Sequence, residues 1–153
     1  MVKSSCCIGM EGKDIVYEQR LSQQECLELL GEEFTPDELY SRVDVNQYAQ
    51  KLSEKAFFMI VSDNKSVQGF TAYYLNTDDS FLFITRIAVS GHCRHQGIGR
   101  KMVNALSTYY QGTYAAIELE VEKTNETAMM FYYSMGFYTI EDRNHKILMR
   151  KEL

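Results

Sequence analysis

The stretch that decides the fold is FLFITRIAVSGHCRHQGIG, residues Phe81–Gly99. Its first part, Phe81–Val89, is apolar on both alternating faces apart from Thr85 and Arg86. This pattern is typical of a central β-strand that is covered on both sides. A short loop with glycines follows, and beyond it apolar residues recur at the spacing of a helix. The stretch therefore predicts a buried strand that leads through a glycine-containing loop into the N-terminus of a helix.

The predicted start of this helix has the chemistry of a phosphate-binding site. A helix N-terminus offers N–H groups without intrahelical partners and the positive end of the helix dipole. Gly97 and Gly99 would let the backbone approach a pyrophosphate, and Arg94 and Arg100 add positive charge. A turn that only packs the helix against the strand remains the alternative. A dinucleotide-binding loop is disfavoured, because Met102 stands where G-x-G-x-x-G requires its third glycine.

A second informative stretch is LEVEKTNETAMMFYYSMGF, residues Leu119–Phe137. The strand that it continues carries three glutamates on one face: Glu118, Glu120 and Glu122. Helical spacing places three further residues on one face of the following helix: Asn125, Ala128 and Tyr132. Taken alone, the glutamates fit a solvated strand face and Tyr132 fits a core aromatic residue.

Hydrophobic periodicity and turn residues predict the other elements. A first strand at Asp14–Leu21 is followed by helices at 22–30 and 36–55. The strands expected after these helices are Ala56–Ser62, Gly69–Leu75, Phe81–Val89, Ala115–Glu122, Phe137–Ile140 and Lys146–Glu152, with a turn at Asp142–Asn144 before the last. Helices are expected at 98–110 and 125–135. This order predicts an α/β sheet with helices on its faces.

The two stretches together resemble the GNAT acetyltransferase superfamily. Its signature is R/Q-x-x-G-x-G/A at a helix start and a later N-x-x-A-x-x-x-Y-x-x-x-G-F. Arg94, Gly97 and Gly99 match the first part. The second part is matched by Asn125, Ala128, Tyr132, Gly136 and Phe137. The order of the elements also matches over nearly the whole chain, most weakly over the first 55 residues.

This resemblance implies a specific variant of the α/β class. The expected fold is a mixed, mostly antiparallel central sheet of about seven strands, flanked by about four helices. Strands 4 and 5 are expected to splay around the cofactor. Residues 1–153 are expected to form a single acetyltransferase domain, with residues 1–13 as a loosely ordered N-terminus.

The cofactor that the resemblance implies is acetyl-CoA, with coenzyme A as the product. Its pantetheine arm is expected between the splayed strands, at Ile87–Val89 and Leu119–Val121, and its pyrophosphate on the amides of Gln96–Arg100. The implied cofactor-binding residues are Ile87, Ala88, Val89, Arg94, His95, Gln96, Gly97, Ile98, Gly99, Arg100, Asn125, Ala128 and Tyr132.

The implied chemistry is direct attack of a neutral amine on the thioester carbonyl. The backbone N–H of Val89 would stabilise the oxyanion, and Tyr132 would protonate the departing thiolate. Glu120 is the candidate base, because its L-E-V placement twelve residues before Tyr132 looks like the base position of bacterial ribosomal-protein N-terminal acetyltransferases. Deprotonation through water, with Glu120 as a structural residue, is the alternative.

In this superfamily the first two helices and their loop wall the acceptor site. Here the region carries Glu32, Glu33 and Tyr40, which we expect to bind the acceptor, with further acidic residues and Tyr48. An acidic, aromatic rim favours a cationic amine, whereas ordinary helix-end charge is the alternative. The expected reaction is acetylation of a primary amine of a small molecule. Alternatives are a protein N-terminal or lysine acetyltransferase, a non-catalytic acyl-CoA-binding module and a nucleotide-binding protein.

Composition and charge limit the class of protein and the partners that this chain is expected to have. A chain of 153 residues and 17.7 kDa suits one domain, and its net charge of −5 argues against general nucleic-acid binding. Four cysteines without a CxxC pair fit free thiols, and His92, Cys93 and His95 lack the further ligands of a metal site. No run approaches the ~18 apolar residues of a membrane span. We therefore expect a cytoplasmic bacterial enzyme, a monomer or homodimer, with no metal, nucleic-acid or membrane partner.

Overall fold

The computed structural model of the chain describes residues 14–31, 44–64, 66–94 and 96–153. Several sequence predictions lie outside the described residues. They are the expected N-terminal segment 1–13, the acceptor residues Glu32, Glu33 and Tyr40, and the cofactor residue His95.

Seven strands of the described part form one sheet in the order β1-β2-β3-β4-β5-β7-β6. The strands are β1 (Asp14–Gln19), β2 (Phe57–Asp63), β3 (Ser66–Asn76), β4 (Phe81–Val89), β5 (Ala116–Glu122), β6 (Tyr138–Arg143) and β7 (Lys146–Glu152). All neighbours pair antiparallel except β4 and β5, which are parallel. This confirms the predicted mixed, mostly antiparallel sheet of seven strands.

Four α-helices accompany this sheet within the described residues: α1 (Gln23–Leu29), α2 (Val45–Lys55), α3 (Ile98–Tyr110) and α4 (Glu126–Ser134). Side chains cap three of them. Ser22 and Glu25 form a reciprocal capping box on α1, Asp44 accepts from the first N–H groups of α2, and Asn125 accepts from Ala128 N–H on α4. Because Asp44 is extended, the helix expected from residue 36 to 55 begins at Val45 within the described residues.

The hairpin of β6 and β7 differs from its prediction. The strand expected to end at Ile140 continues to Arg143, and the turn consists of Asn144 and His145. Asn144 has a φ of 62°, a left-handed conformation that asparagine adopts more readily than most residues. The charged residues before the turn suggested a loop, yet on an exposed edge strand they are compatible with pairing. The longer strand brings Arg143 into pairing with Lys146.

Apolar side chains fill both faces of the sheet. One cluster packs α3 and α4 against the sheet and includes Leu82 and Ile84 of β4; we call this side the α3/α4 face. The other packs α1 and α2 against β2 and β3 and includes Ala88 of β4; we call this side the α1/α2 face. Strand β4 therefore contributes to both clusters, as its two-sided apolar pattern predicted.

The parallel pair in the middle of the sheet is incomplete. Strands β4 and β5 pair only over Phe81–Ile84 and Ala116–Leu119. Beyond these residues the two strands separate, which confirms the predicted splaying. Strand β4 also carries a bulge against β3, because Ile84 pairs with Tyr73 and Arg86 with Ala72, leaving Thr85 as the extra residue. The gap opens at the carboxyl ends of β4 and β5.

Candidate active site

A cleft of about 240 Å³ occupies the gap between β4 and β5. Its walls come from β4, β5 and α4, and they comprise Ile84, Thr85, Arg86, Ile87, Leu119, Glu120, Val121, Glu122, Asn125, Ala128 and Tyr132. The structure therefore brings together five residues that the sequence proposed for the site: Ile87, Glu120, Asn125, Ala128 and Tyr132.

A second cavity, of about 400 Å³, lies at the start of α3. It is lined by Val89, Cys93, Arg94, Gly97, Ile98, Gly99, Arg100 and Phe131. Six of these residues were predicted to contact the cofactor. Two predicted residues lie in neither cavity wall: Ala88 is buried on the α1/α2 face, and exposed Gln96 donates a hydrogen bond from its side chain to the carbonyl of His92.

The first turn of α3 has the backbone conformation and the charge that favour an anion. Gly97 is its N-cap, with a left-handed φ of 77° that favours glycine, and the first turn contains no acidic residue. The leading N–H groups of a helix have no intrahelical acceptors, and the residues of this first turn line the cavity. The sequence attributed this glycine to close approach of a ligand, whereas the backbone conformation alone already requires it.

Two arginines frame this helix start. Arg94 Nε lies 3.4 Å from the carbonyl oxygen of Val89, and Arg100 Nη2 donates to Ser134 Oγ on α4 at 3.0 Å. The Arg100 guanidinium also lies 5.9 Å from the centroid of the Phe131 ring. Sequence reasoning missed Phe131; the signal available was its position beside Tyr132 on a helix already assigned to the site.

The backbone of Val89 faces the gap. Ser90 N–H donates to the carbonyl of Gln68 in β3 at 2.8 Å. Successive residues of a strand direct their N–H groups to opposite edges. The Val89 N–H therefore points to the other edge of β4, where no described strand pairs with it beyond Ile84.

Tyr132 is the most deeply placed polar side chain of the cleft. It is 8% exposed, and its ring packs edge-on against Phe131 and Phe137. Burial raises the pKa of Tyr132 to about 12, while the positive charge of Arg86 acts in the opposite direction. The hydroxyl therefore stays protonated at neutral pH and is able to donate.

Glu120 reaches the cleft while bound to an arginine. Arg143 on β6 donates from Nη1 to Glu120 Oε2 at 3.0 Å and from Nη2 to Glu141 Oε2 at 2.8 Å. Hydrogen bonds to Glu120 and Glu141 raise the pKa of Arg143, so it stays charged. Sequence reasoning missed Arg143, because only the register of β5, β7 and β6 brings it beside Glu120.

Glu118, which lies two residues before Glu120 on β5, has a different environment. Glu118 is buried and pairs with Arg150 Nη1 at 2.8 Å across β5 and β7. Arg150 also binds Glu152, its second acidic partner. These contacts make Glu118 part of a buried ion pair, so the solvated strand face that the sequence offered for the glutamates does not describe this residue.

Tyr48 of α2 covers the bulge in β4. Its hydroxyl lies 3.0 Å from Thr85 Oγ1, and burial raises the pKa of Tyr48. The bulge therefore connects the cleft to the α1/α2 face, where the sequence expected the acceptor.

In the described part of the chain, no group of three or more histidine, cysteine, aspartate or glutamate side chains is arranged to hold a metal ion. None of the helices in that part is long and apolar enough to cross a membrane.

The fold is similar to those of solved acetyltransferases. PaiA N-acetyltransferase from Thermoplasma acidophilum, solved with coenzyme A, is 15% identical with a TM-score of 0.69, over 92% of this chain and 99% of that chain. The ribosomal-protein-S18-alanine N-acetyltransferase from Escherichia coli is 19% identical with a TM-score of 0.70, over 92% and 93%. A GNAT family acetyltransferase from Elizabethkingia anophelis with acetyl-CoA bound is 17% identical with a TM-score of 0.66, over 94% and 100%.

The sequence itself carries a family match. No curated protein sequence matches the chain. The model of the acetyltransferase (GNAT) family matches residues 23–137, which is more than half of the chain and includes both motif stretches. The chain therefore belongs to the GNAT acetyltransferase family and is an acyltransferase that uses acetyl-CoA.

Proposed function

We propose that this protein transfers the acetyl group of acetyl-CoA to the primary amine of a small molecule by direct attack. The observation that carries the proposal is the cleft between β4 and β5, where a proton donor, a carboxylate and a free strand edge converge.

The residues present fit acetyl-CoA. The first turn of α3, with Gly97 as N-cap and Arg94 and Arg100 beside it, would hold the pyrophosphate. The pantetheine arm would lie in the gap between β4 and β5, next to Ile87 and Ala128. When bound, the cofactor supplies an activated acetyl thioester.

Val89 would stabilise the negative charge that develops on the carbonyl oxygen. Its N–H faces the gap on a rigid strand, so the donor is already oriented. Preorganised donors of this kind contribute about 3–4 kcal/mol when they are removed one at a time.

Tyr132 would assist the departing thiolate. The pKa of about 12 exceeds that of a thiol, ~8.5, so complete proton transfer from Tyr132 to the sulfur is unfavourable. We therefore assign the hydroxyl the role of a hydrogen-bond donor to the thiolate, with the proton arriving from solvent later. A hydrogen bond to a charged group is worth ~1.5–3 kcal/mol.

Glu120 would accept the proton of the attacking amine. Arg143 binds Glu120 Oε2, which fixes the carboxylate at the edge of the cleft without adding a proton. Removal of the proton by water, with Glu120 orienting the amine, remains the second route. Both routes place a negative charge next to an acceptor that is cationic before it reacts.

An acceptor panel tests the proposal. The purified chain is incubated with acetyl-CoA and either small primary amines or peptides with free N-termini and lysines, and the free thiol of coenzyme A is measured. We expect the small amines to give the higher kcat/KM. Turnover with peptides alone would overturn the small-molecule assignment, and binding of acetyl-CoA without turnover on any acceptor would overturn the catalytic one.

A further inference from the structure

A third cavity lies at the hairpin that joins β3 to β4, with Tyr74 on the α1/α2 face and Leu75 on the α3/α4 face. Its volume is about 560 Å³, larger than that of the cleft. Four apolar or aromatic side chains line it, namely Tyr74, Leu75, Phe81 and Phe83, with Asn76 and Asp78 at the rim. All four are only partly buried. Concave apolar surface with a few polar groups at its edge is typical of a small-molecule site.

The Tyr74 and Phe83 side of this cavity lies on the same face of the sheet as Glu120. Tyr74 pairs with Phe83, and Phe83 pairs with Glu118 of β5, so these three side chains project from one face. Glu120 is two residues beyond Glu118 and shares that face. Phe83, which lines the cavity, and Glu120, which lines the cleft, therefore project from the same face of the sheet.

Phe83 in the cavity and Glu120 in the cleft are a short distance apart. Neighbouring strands lie about 4.8 Å apart, and two residues advance a strand by about 6.6 Å, so the Cα atoms of Phe83 and Glu120 are separated by about 8 Å. A short alkyl chain spans this distance. An amine held at Glu120 would then place a group attached through such a chain against Phe83.

We propose that this cavity binds an apolar, preferably aromatic, group of the acceptor, so that the substrate is a small primary amine joined to that group by a short alkyl chain. This inference rests on the proposed function and specifies its substrate class. It adds Phe83 and Phe81 as specificity-determining residues that do not touch the reacting atoms.

The charges around the cavity agree with such a ligand. Arg150 binds both Glu118 and Glu152, and Arg143 binds both Glu120 and Glu141, so each group of three side chains keeps one negative charge. Lys51 of α2 lies 5.4 Å from the centroid of the Tyr74 ring, which holds that ring from the helix side. The ring of the acceptor would meet aromatic surface while its amine meets the acidic end.

The test compares phenylbutylamine with butylamine as acceptors of the full chain with acetyl-CoA. We expect kcat/KM for phenylbutylamine to be ~10- to 100-fold higher in the wild type, the range that burial of an aromatic ring supports. Phe83→Ala should remove this preference and leave butylamine turnover within about twofold. Phe57→Ala is the matched control, because Phe57 is also partly buried but pairs with Tyr73 and faces the α3/α4 side.

A second variant and a binding measurement distinguish failure of the cavity assignment from failure of the proposed function. Phe83→Leu retains apolar volume if Phe83→Ala does not fold, and it should reduce the preference for the aromatic amine. Calorimetric binding of phenylbutanol, which cannot be acetylated on nitrogen, should be detectable in the wild type and weakened by either Phe83 variant. Phenylbutanol binding without any amine turnover would support the cavity and overturn only the proposed function. Equal kcat/KM for both amines, or a preference that survives in both Phe83 variants, would overturn the cavity assignment.

Discussion

The left-handed backbone of Gly97 provides a sharp test of the phosphate site. Gly97 has a φ of 77°, and no described atom lies within 4 Å of the position of an added Cβ. Gly112, in the loop after α3, has a φ of 86° and equally open surroundings. Alanine at either position therefore meets the same backbone strain, on the order of 1–2 kcal/mol, without a clash inside the protein.

The two variants should differ only in their affinity for coenzyme A. We expect Gly97→Ala and Gly112→Ala to lose similar free energies of unfolding, about 1–2 kcal/mol each. Gly97→Ala adds a methyl group and shifts the N–H groups where the pyrophosphate is proposed to bind. Loss of one charge-assisted hydrogen bond is worth ~1.5–3 kcal/mol, which raises Kd by ~10- to 150-fold.

Urea denaturation measures the stability of both variants, and isothermal titration calorimetry with coenzyme A measures Kd without turnover. An unchanged Kd in a folded Gly97→Ala variant would refute the binding of phosphates at the start of α3. An equal rise in Kd for Gly112→Ala would also refute it, because the effect would then come from general strain.

Three further outcomes are expected. Acetyl-CoA at 100 times its Kd should add ~2.7 kcal/mol of stability and raise Tm by roughly 5–11 °C in a thermal-shift assay, whereas no shift at millimolar acetyl-CoA would contradict cofactor binding. Tyr132→Phe should lower kcat by ~10- to 100-fold with little change in Tm, and a native kcat would leave Tyr132 a packing residue. Glu120→Gln should lower kcat/KM most at neutral pH. In a pH–rate profile the loss should shrink as the pH approaches the amine pKa of ~10, because the amine is then neutral without a base. A near-native rate at neutral pH would mean that water removes the proton of the amine.

Sequence patterns within single segments predict many of the strands and helices. The strand Phe81–Val89 and the helix Ile98–Tyr110 have the bounds that their patterns indicate, because an uninterrupted apolar run and a regular helical spacing leave few alternatives. Ser22 and Asn125 cap helices as their residue types predict, since each supplies an acceptor for an otherwise unpaired N–H group.

The parts that sequence reasoning missed depend on contacts between distant segments. Arg143 meets Glu120 only because β7 lies between β5 and β6 and the register pairs Glu120 with Leu148 and Arg143 with Lys146, two residues away on β7. Tyr48 reaches Thr85 only because β4 bulges at that residue. No periodicity within one segment encodes a register or a bulge, so these contacts become visible only in the assembled sheet.

Acetylation of an amine in the cleft between β4 and β5 is open to direct measurement. The most direct measurement incubates the purified chain with acetyl-CoA and phenylbutylamine and quantifies the N-acetylated amine by mass spectrometry alongside the free thiol of coenzyme A. We expect equal amounts of N-acetylated amine and free coenzyme A. Both should fall markedly in the Tyr132→Phe, Glu120→Gln double variant. Release of thiol without N-acetylated amine across the amine panel, or undiminished product in the double variant, would contradict acetylation in this cleft.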